Sequence, residues 1–208
     1  IPLRLVGSEM CIRDRAADGG NSVTGWKNRS QRYMAASRKT RLGVPALYGV
    51  DAVHGHSTVP DSVMFPQNIG LGSALIGDEE AVTPLLEKMG EVTAKEIRAT
   101  GINYNFAPCL VIPHDSRWGR TYEGFSVNPE VVSKAGVAVV RGMQGKSDLS
   151  ELKEEDRVGA TIKHYIGEGA TLNGGNRGNV NMDYDSAEFQ KLLKEESVSY
   201  THLRAHET

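Results

Sequence analysis

The chain has 208 residues, 39% of them hydrophobic and 24% charged, with a formal net charge of −2 at pH 7. That balance suits one globular domain with a sizeable core and excludes a disordered chain; two cysteines, Cys11 and Cys109, are too few for a disulfide scaffold. The 24 Lys and Arg residues are scattered, so neither nucleic acid nor an anionic membrane is expected as a partner, and no apolar run reaches the roughly 20 residues of a membrane span.

In chain order, the first segment is unlike the rest. "LVGSEMCIRDR" (5–15), like "VSYTHLRAHET" (198–208) at the other end, resembles sequencing-adapter sequence translated as coding. Residues 1–15 and 198–208 are therefore expected to be non-native, leaving 16–197 for interpretation, with Cys11, His202 and His206 carrying no information and the natural chain continuing past both edges. The N-terminus has no apolar core of secretory-signal length, and the compartment stays open.

"VPALYGVD" (44–51) reads as a short buried strand ending at Asp51, followed by the loop "AVHGHSTVP". From 84 to 99, Leu85, Leu86, Met89, Val92 and Ile97 recur at helical spacing, with Pro84 in the first turn and Gly101 beyond the end. "INYNFAPCLVI" (102–112) is a second strand, and "PHDSRWGRTYEGFS" the loop after it. Asn128 as N-cap and Pro129 as first residue open a helix that buries Val131, Val132, Ala135, Val139 and Met143 and stops at Gly145. A third strand, "VGATIKHYI", starts at 158; beyond its Gly/Asn-rich loop, Asp185 and Glu188 mark the start of a helix carrying Phe189, Leu192 and Leu193, which the adapter-like tail cuts short.

Strands alternating with helices predict an α/β fold of parallel βαβ units, whose ligands bind at the carboxyl ends of the strands in an open sheet and a closed barrel alike. Asp51 closes the first strand, Arg120 lies in the loop after the second, and Lys163 with His164 closes the third. Adjacent side chains in mid-strand point to opposite faces, whereas at a strand end the pleat is lost and both can turn to one space. Lys163 and His164 then read as a double donor to neighbouring sugar hydroxyls, Asp51 as an acceptor on the far side, and Trp118, Tyr104 and Tyr122 as flat surface for the C–H face of a ring.

"LYGVDAVHGHSTV", "FPQNIGLG", "GEVTAKEIRATGINYNFAPCL", "DSRWGRTYEGFS" and "ATIKHYIGEGAT" together resemble the N-terminal barrel domain of the family 3 glycoside hydrolases of β-glucosidase type, over roughly residues 20–195. The resemblance implies a TIM-type (β/α)8 barrel, exo-acting removal of terminal β-linked glucose with retention, no metal or organic cofactor, a β-glucoside or oligosaccharide substrate, and an extracellular or periplasmic setting. It also implies that Asp51, Arg120, Lys163 and His164 bind the terminal sugar ring. Gln67 stands where a histidine is frequent in the family, and Arg177 where an acid is. In relatives the nucleophile is an aspartate in a Ser-Asp-Trp-like stretch on a later strand and the acid/base arrives from a following domain. Neither is found here; Ser147-Asp148 lies in a polar surface run. A closed barrel takes about 250 residues, so the barrel is expected to be incomplete and the chain, as written, inactive.

Each residue also has a plainer role. Asp51 can cap a turn, Arg120 can pair with Glu123, Lys163 can be solvated, His164 can be a core residue, and Trp118 and Tyr122 can pack the loop. Glu168 reads as a structural loop carboxylate. Two further functions stay in play: a non-catalytic sugar-binding remnant, and an amidohydrolase-type metal barrel in which His54 and His56 bind an ion, which needs further histidines and an aspartate on later strands where only His114 and His164 remain. The glycine runs lack the strand-to-helix pattern of a dinucleotide site.

Overall fold

A computed structural model of the chain describes residues 20–175 and 180–205, the side chains from 198 onward excepted. The expectations about residues 1–15, Arg177, the side chain of His202, and His206 lie outside the described residues. The described residues are α/β, with three short parallel strands, β1 (Gly49–Val50), β2 (Tyr104–Asn105) and β3 (Gly159–Ala160), side by side in chain order. Helices α2 (Asn68–Gly77) and α3 (Glu79–Ala99) connect β1 to β2, and α4 (Pro129–Gln144) connects β2 to β3; α1 (Val23–Arg38) precedes the sheet and α5 (Ala187–Ala205) follows it.

The strands fall where the apolar runs predict them but form much shorter ladders, for two local reasons. At the end of β1, the buried Asn105 side chain takes the place of a partner strand. Its Oδ1 accepts from Ala52 N at 2.9 Å and its Nδ2 donates to Ala52 O at 3.0 Å. Asp51, between Val50 and that clamp, is thereby fixed at the strand's carboxyl end. Between β2 and β3 the register slips. Asn105 pairs with Ala160, yet the next bridge joins Cys109 to Lys163, so the segment after β2 carries one residue more than the segment after β3, as in a bulge. The peptide bonds Ala107–Pro108, Lys163–His164 and Tyr165–Ile166 are cis.

α4 begins as its sequence requires, with Asn128 Oδ1 accepting from Glu130 N at 2.9 Å and Pro129 in the first turn. α3 starts five residues earlier than expected, capped by Asp78, whose Oδ1 accepts from Ala81 N at 3.0 Å. Pro84 therefore sits inside the helix, where the carbonyl of Glu80 loses its usual N–H partner. α3 and α4 bury facing stripes, Leu86, Met89, Ala94 and Ile97 against Val132, Ala135, Val139 and Met143. Leu85 is off that stripe and 66% exposed, contrary to the predicted face. The two backbones touch at Gly90 and Gly142: a Cβ on Gly142 would lie 2.0 Å from Glu87 O, and one on Gly90 2.4 Å from Val139 O.

α5 starts at Ala187 with Phe189 N donating to Ser186 Oγ at 3.1 Å, so Ser186 rather than Asp185 holds its first turn, and the helix continues to Ala205 instead of stopping near 197. Among the described residues no helix is long and apolar enough to cross a membrane.

Candidate active site

Two loops and two strand ends build the site. The loop after β2 is plugged into the core by Trp118, buried with Cys109, Val111 and Val53. Trp118 therefore packs the loop and offers no ring face to a ligand. Thr121 N and Oγ1 both donate to Trp118 O, starting a 3-10 turn over Thr121–Glu123 that carries Arg120 and Glu123 on one side. There the Arg120 guanidinium forks onto Glu123, Nε to Oε1 and Nη2 to Oε2, both at 2.7 Å. Asn68, from α2, ties down the same turn by donating to Glu123 O at 2.8 Å.

The loop after β3 supplies the second wall. Gly167, at φ 87°, turns the chain into a 3-10 helix over Glu168–Ala170, and Glu168 Oε1 accepts from Arg120 Nη1 at 2.9 Å. His164 Nε2 stands 3.4 Å from Arg120 Nη2, and His164 Nδ1 contacts Glu168 Oε2. Lys163, turned toward β1, donates from Nζ to Asp51 Oδ1 at 2.5 Å. The four residues singled out from the sequence thus meet at the carboxyl ends of three parallel strands, although 112 residues separate Asp51 from Lys163.

The site holds two fixed cations, Arg120 and Lys163, among three carboxylates, Asp51, Glu123 and Glu168. Burial, with the charges of Arg120 and Lys163 adding to it, brings the His164 pKa down to about 4 against weaker opposition from Glu123 and Asp51, so the ring is neutral near pH 7. For Glu123, burial raises the carboxyl, but the hydrogen bonds and charge of Arg120, with Lys163 and His164, outweigh it and hold the group below its ordinary value. Glu123 in turn raises Arg120 above its ordinary range. Side-chain exposure is 38% for Asp51 and 32% for His164 against 13% for Lys163, so Asp51 and His164 form the outer edge. The sequence presents Glu123 only as a pairing partner and Glu168 as a loop carboxylate; the three-residue spacing of Arg120 and Glu123 signals the first contact, while the link to Glu168 spans 48 residues.

The other candidates lie elsewhere. Tyr104 packs edge-on against Phe106 within the sheet, 5.6 Å between ring centres, at the end remote from Lys163. Tyr122 is exposed on the 3-10 turn. His54 and His56 do not act as a pair. His54 Nδ1 donates to Phe65 O at 2.9 Å with Gln67 Nε2 3.4 Å from its other nitrogen, whereas His56 is fully buried against Trp26 between the hydroxyls of Thr58 and Thr100. Among the described residues no three His, Cys, Asp or Glu side chains are grouped to hold a metal ion. A cavity of about 570 Å³ opens between the loop after β2 and α5, lined by His114, Asp115, Arg117, Asn173 and Lys191 among others. None of the four convergent residues lines it, so charge convergence rather than enclosure marks the site.

Comparison with known proteins identifies the family. The family model described as the glycosyl hydrolase family 3 N terminal domain matches residues 17–203. The chain is 38% identical over 126 residues to a lysosomal beta glucosidase of Dictyostelium discoideum, covering 60% of this chain and 14% of that protein. It is 33% identical over 178 residues to a periplasmic beta-glucosidase of Salmonella typhimurium, covering 82% and 21%. Its fold matches the crystal structure of an exo-1,3/1,4-beta-glucanase from a Pseudoalteromonas species with a TM-score of 0.77 at 36% identity, over 93% of this chain and 23% of that one. The chain thus spans between about a seventh and a quarter of the length of these relatives.

Proposed function

The chain belongs to glycosyl hydrolase family 3 through its N-terminal domain, and on that premise we propose that it is part of a retaining, exo-acting β-glucosidase that binds the terminal β-linked glucosyl unit of an oligosaccharide. In this reading the three parallel strands begin a TIM-type barrel whose remaining strands and catalytic carboxyl groups come from outside the 208 residues. Asp51, Arg120, Lys163 and His164 hold the sugar. The observation that carries the reading is their convergence at the strands' carboxyl ends, where such folds bind ligands.

The chemistry suits a pyranose. Lys163 uses one N–H on Asp51 and keeps two for ring hydroxyls; Asp51, the most exposed of the four, keeps lone pairs to accept from them. Arg120 spends most of its donors on Glu123 and Glu168 and so acts as a fixed positive wall with little donor capacity left for a ligand. Retaining hydrolysis needs two carboxyl groups about 5–5.5 Å apart that are free to attack and to transfer a proton. Glu123 and Glu168 are committed to Arg120 and Asp51 to Lys163, so each reads as a binding or bracing group. The Salmonella relative's name supports the periplasmic part of the periplasmic or extracellular setting that the family resemblance implies.

The test is sugar binding and turnover side by side. Saturation-transfer NMR with glucose is expected to give a signal lost in Asp51→Ala and Lys163→Ala, while the same chain leaves an aryl β-glucoside uncleaved. Binding that survives both substitutions refutes the assigned ligands, and cleavage lost on Asp51→Ala refutes the division of labour.

A further inference from the structure

Glu168 touches two of the four site residues at once. Its Oε1 accepts from Arg120 Nη1 at 2.9 Å, and its Oε2 meets His164 Nδ1. Both atoms of that second contact are buried, and neither has any other hydrogen-bond partner among the described residues. A ring nitrogen bearing a lone pair would set two acceptors against each other, so a proton has to lie between them. The other ring nitrogen decides who owns it. Arg120 can only donate, and its Nη2 lies 3.4 Å from His164 Nε2, so Nε2 presents a lone pair and the proton of the neutral ring is on Nδ1.

The loop that presents Glu168 is anchored from two sides. Gly167 N donates to Glu196 Oε2, a buried carboxylate of α5, at 2.5 Å, and His114 N donates to Gly169 O at 3.0 Å. His114 Nε2 also lies 3.3 Å from Glu196 Oε1. A side chain at Gly169 would lie 2.1 Å from Ile112 O. The backbone on either side of Glu168 is therefore held by the loop after β2 and by α5, which leaves the carboxylate little freedom other than to face Arg120 and His164.

We propose that Glu168 is a positioning residue that fixes His164 as its Nδ1–H tautomer, so that Nε2 can only accept, and an incoming hydroxyl takes that lone pair in place of the long 3.4 Å contact with Arg120 Nη2. The site then has a hydrogen-bonding polarity: Lys163 donates, His164 and Asp51 accept, and a hydroxyl placed between Lys163 and His164 is read in one orientation. This replaces the double-donor reading of the Lys-His pair. It concerns the same site as the sugar-binding reading and rests on it only for the identity of the hydroxyl.

The tautomer is measured without sugar, so its failure and the failure of sugar binding are separate results. Two-bond proton–nitrogen correlation spectra of the full chain, labelled at histidine, are recorded at pH 7, with His164 assigned by its absence in His164→Gln. The expected wild-type pattern is a protonated Nδ1 and an unprotonated Nε2. Glu168→Ala should move both nitrogens toward averaged positions of two exchanging tautomers, and Glu168→Gln, whose amide oxygen still accepts, should restore the single form. A wild-type ring protonated at Nε2, or an unchanged Nδ1–H form in folded Glu168→Ala, overturns the proposal. Where circular dichroism shows the alanine chain unfolded, Glu168→Gln decides alone: its neutral acceptor should shift the His164 Nδ1 signal and leave that of His54 in place, and an unmoved His164 signal overturns the proposal.

Discussion

Lys163 Nζ lies 2.5 Å from Asp51 Oδ1, and this contact closes the site between its first and last strands. Lys163 is the more buried partner, at 13% exposure, and Asp51 the more open, at 38%. Removing Asp51 leaves a mostly buried ammonium unpaired, but solvent reaches the vacated side, so the loss is expected nearer about 1 kcal/mol than the roughly 3–5 kcal/mol of a fully buried pair. Urea unfolding of Asp51→Ala, Lys163→Met and the double variant should show the double losing less than the sum of the singles. Strict additivity would mean that the contact contributes nothing to folding.

Acid should weaken the fold over a defined window. His56 and His164 each drop from 6.5 to about 4 in the folded chain, His56 by burial and His164 by burial and then the charges of Arg120 and Lys163. The unfolded chain therefore binds more protons between these values, and stability is complete above about pH 6.5 and falls as pH drops toward 4. The fully buried His56 contributes on the order of 3 kcal/mol to that loss, and the half-open His164 less because solvent screens it. Denaturant midpoints from pH 7 to 4.5 should fall in wild type and fall less steeply in His56→Gln; parallel curves would contradict the assignment.

Two glycine-to-alanine changes should act in opposite directions. Alanine normally gains about 0.5–1 kcal/mol over glycine within a helix. At Gly70 in α2 nothing among the described residues lies within 4 Å of the added carbon, so Gly70→Ala should raise the melting temperature. At Gly142 the added carbon would lie 2.0 Å from a backbone oxygen of α3, and separating the helices should cost about 1–3 kcal/mol or more. Thermal melts that rank these two the other way would refute the close packing of α3 on α4.

Cys109 should be chemically silent in the native chain. Burial, followed by the charge of Glu123, pushes its thiol up to about 12, so the thiolate is scarce and inaccessible at pH 8. With Cys11 replaced by serine, a disulfide reagent should find no reactive thiol in buffer and one in urea. Rapid native labelling would place Cys109 at the surface.

Much of this was legible in the residues. Asn128-Pro129 announced α4 because the cap and the first-turn proline act locally, and the placement of Asp51, Arg120, Lys163 and His164 at strand ends followed from the alternation of elements. Other features were not local. α2 was missed because Asn68–Gly77 contains three glycines and is held by contacts such as Gly72 beneath the backbone of Phe125. α1 shows no strong apolar face, and it is anchored by Ser30 Oγ donating to Gly101 O, 71 residues away. The shortness of the strands depends on the Asn105 clamp and the extra residue that follows β2, which no period-two pattern contains. The roles of Glu168 and Glu196 rest on pairings across 48 and 29 residues.

The Glu196 anchor also orders events in time. Gly167 and the carboxylate that holds its N–H are 29 residues apart. On a ribosome, which extends a chain by about 5–20 residues each second, the Lys163–Glu168 segment leaves the exit tunnel seconds before its anchor does. Until α5 emerges, Arg120 can pair with Glu123 in its own turn, but the partner it takes from the later loop is not yet secured. During synthesis the groups of the Arg120–Glu123 pair are thus available together before the carboxylate that supports the later loop exists.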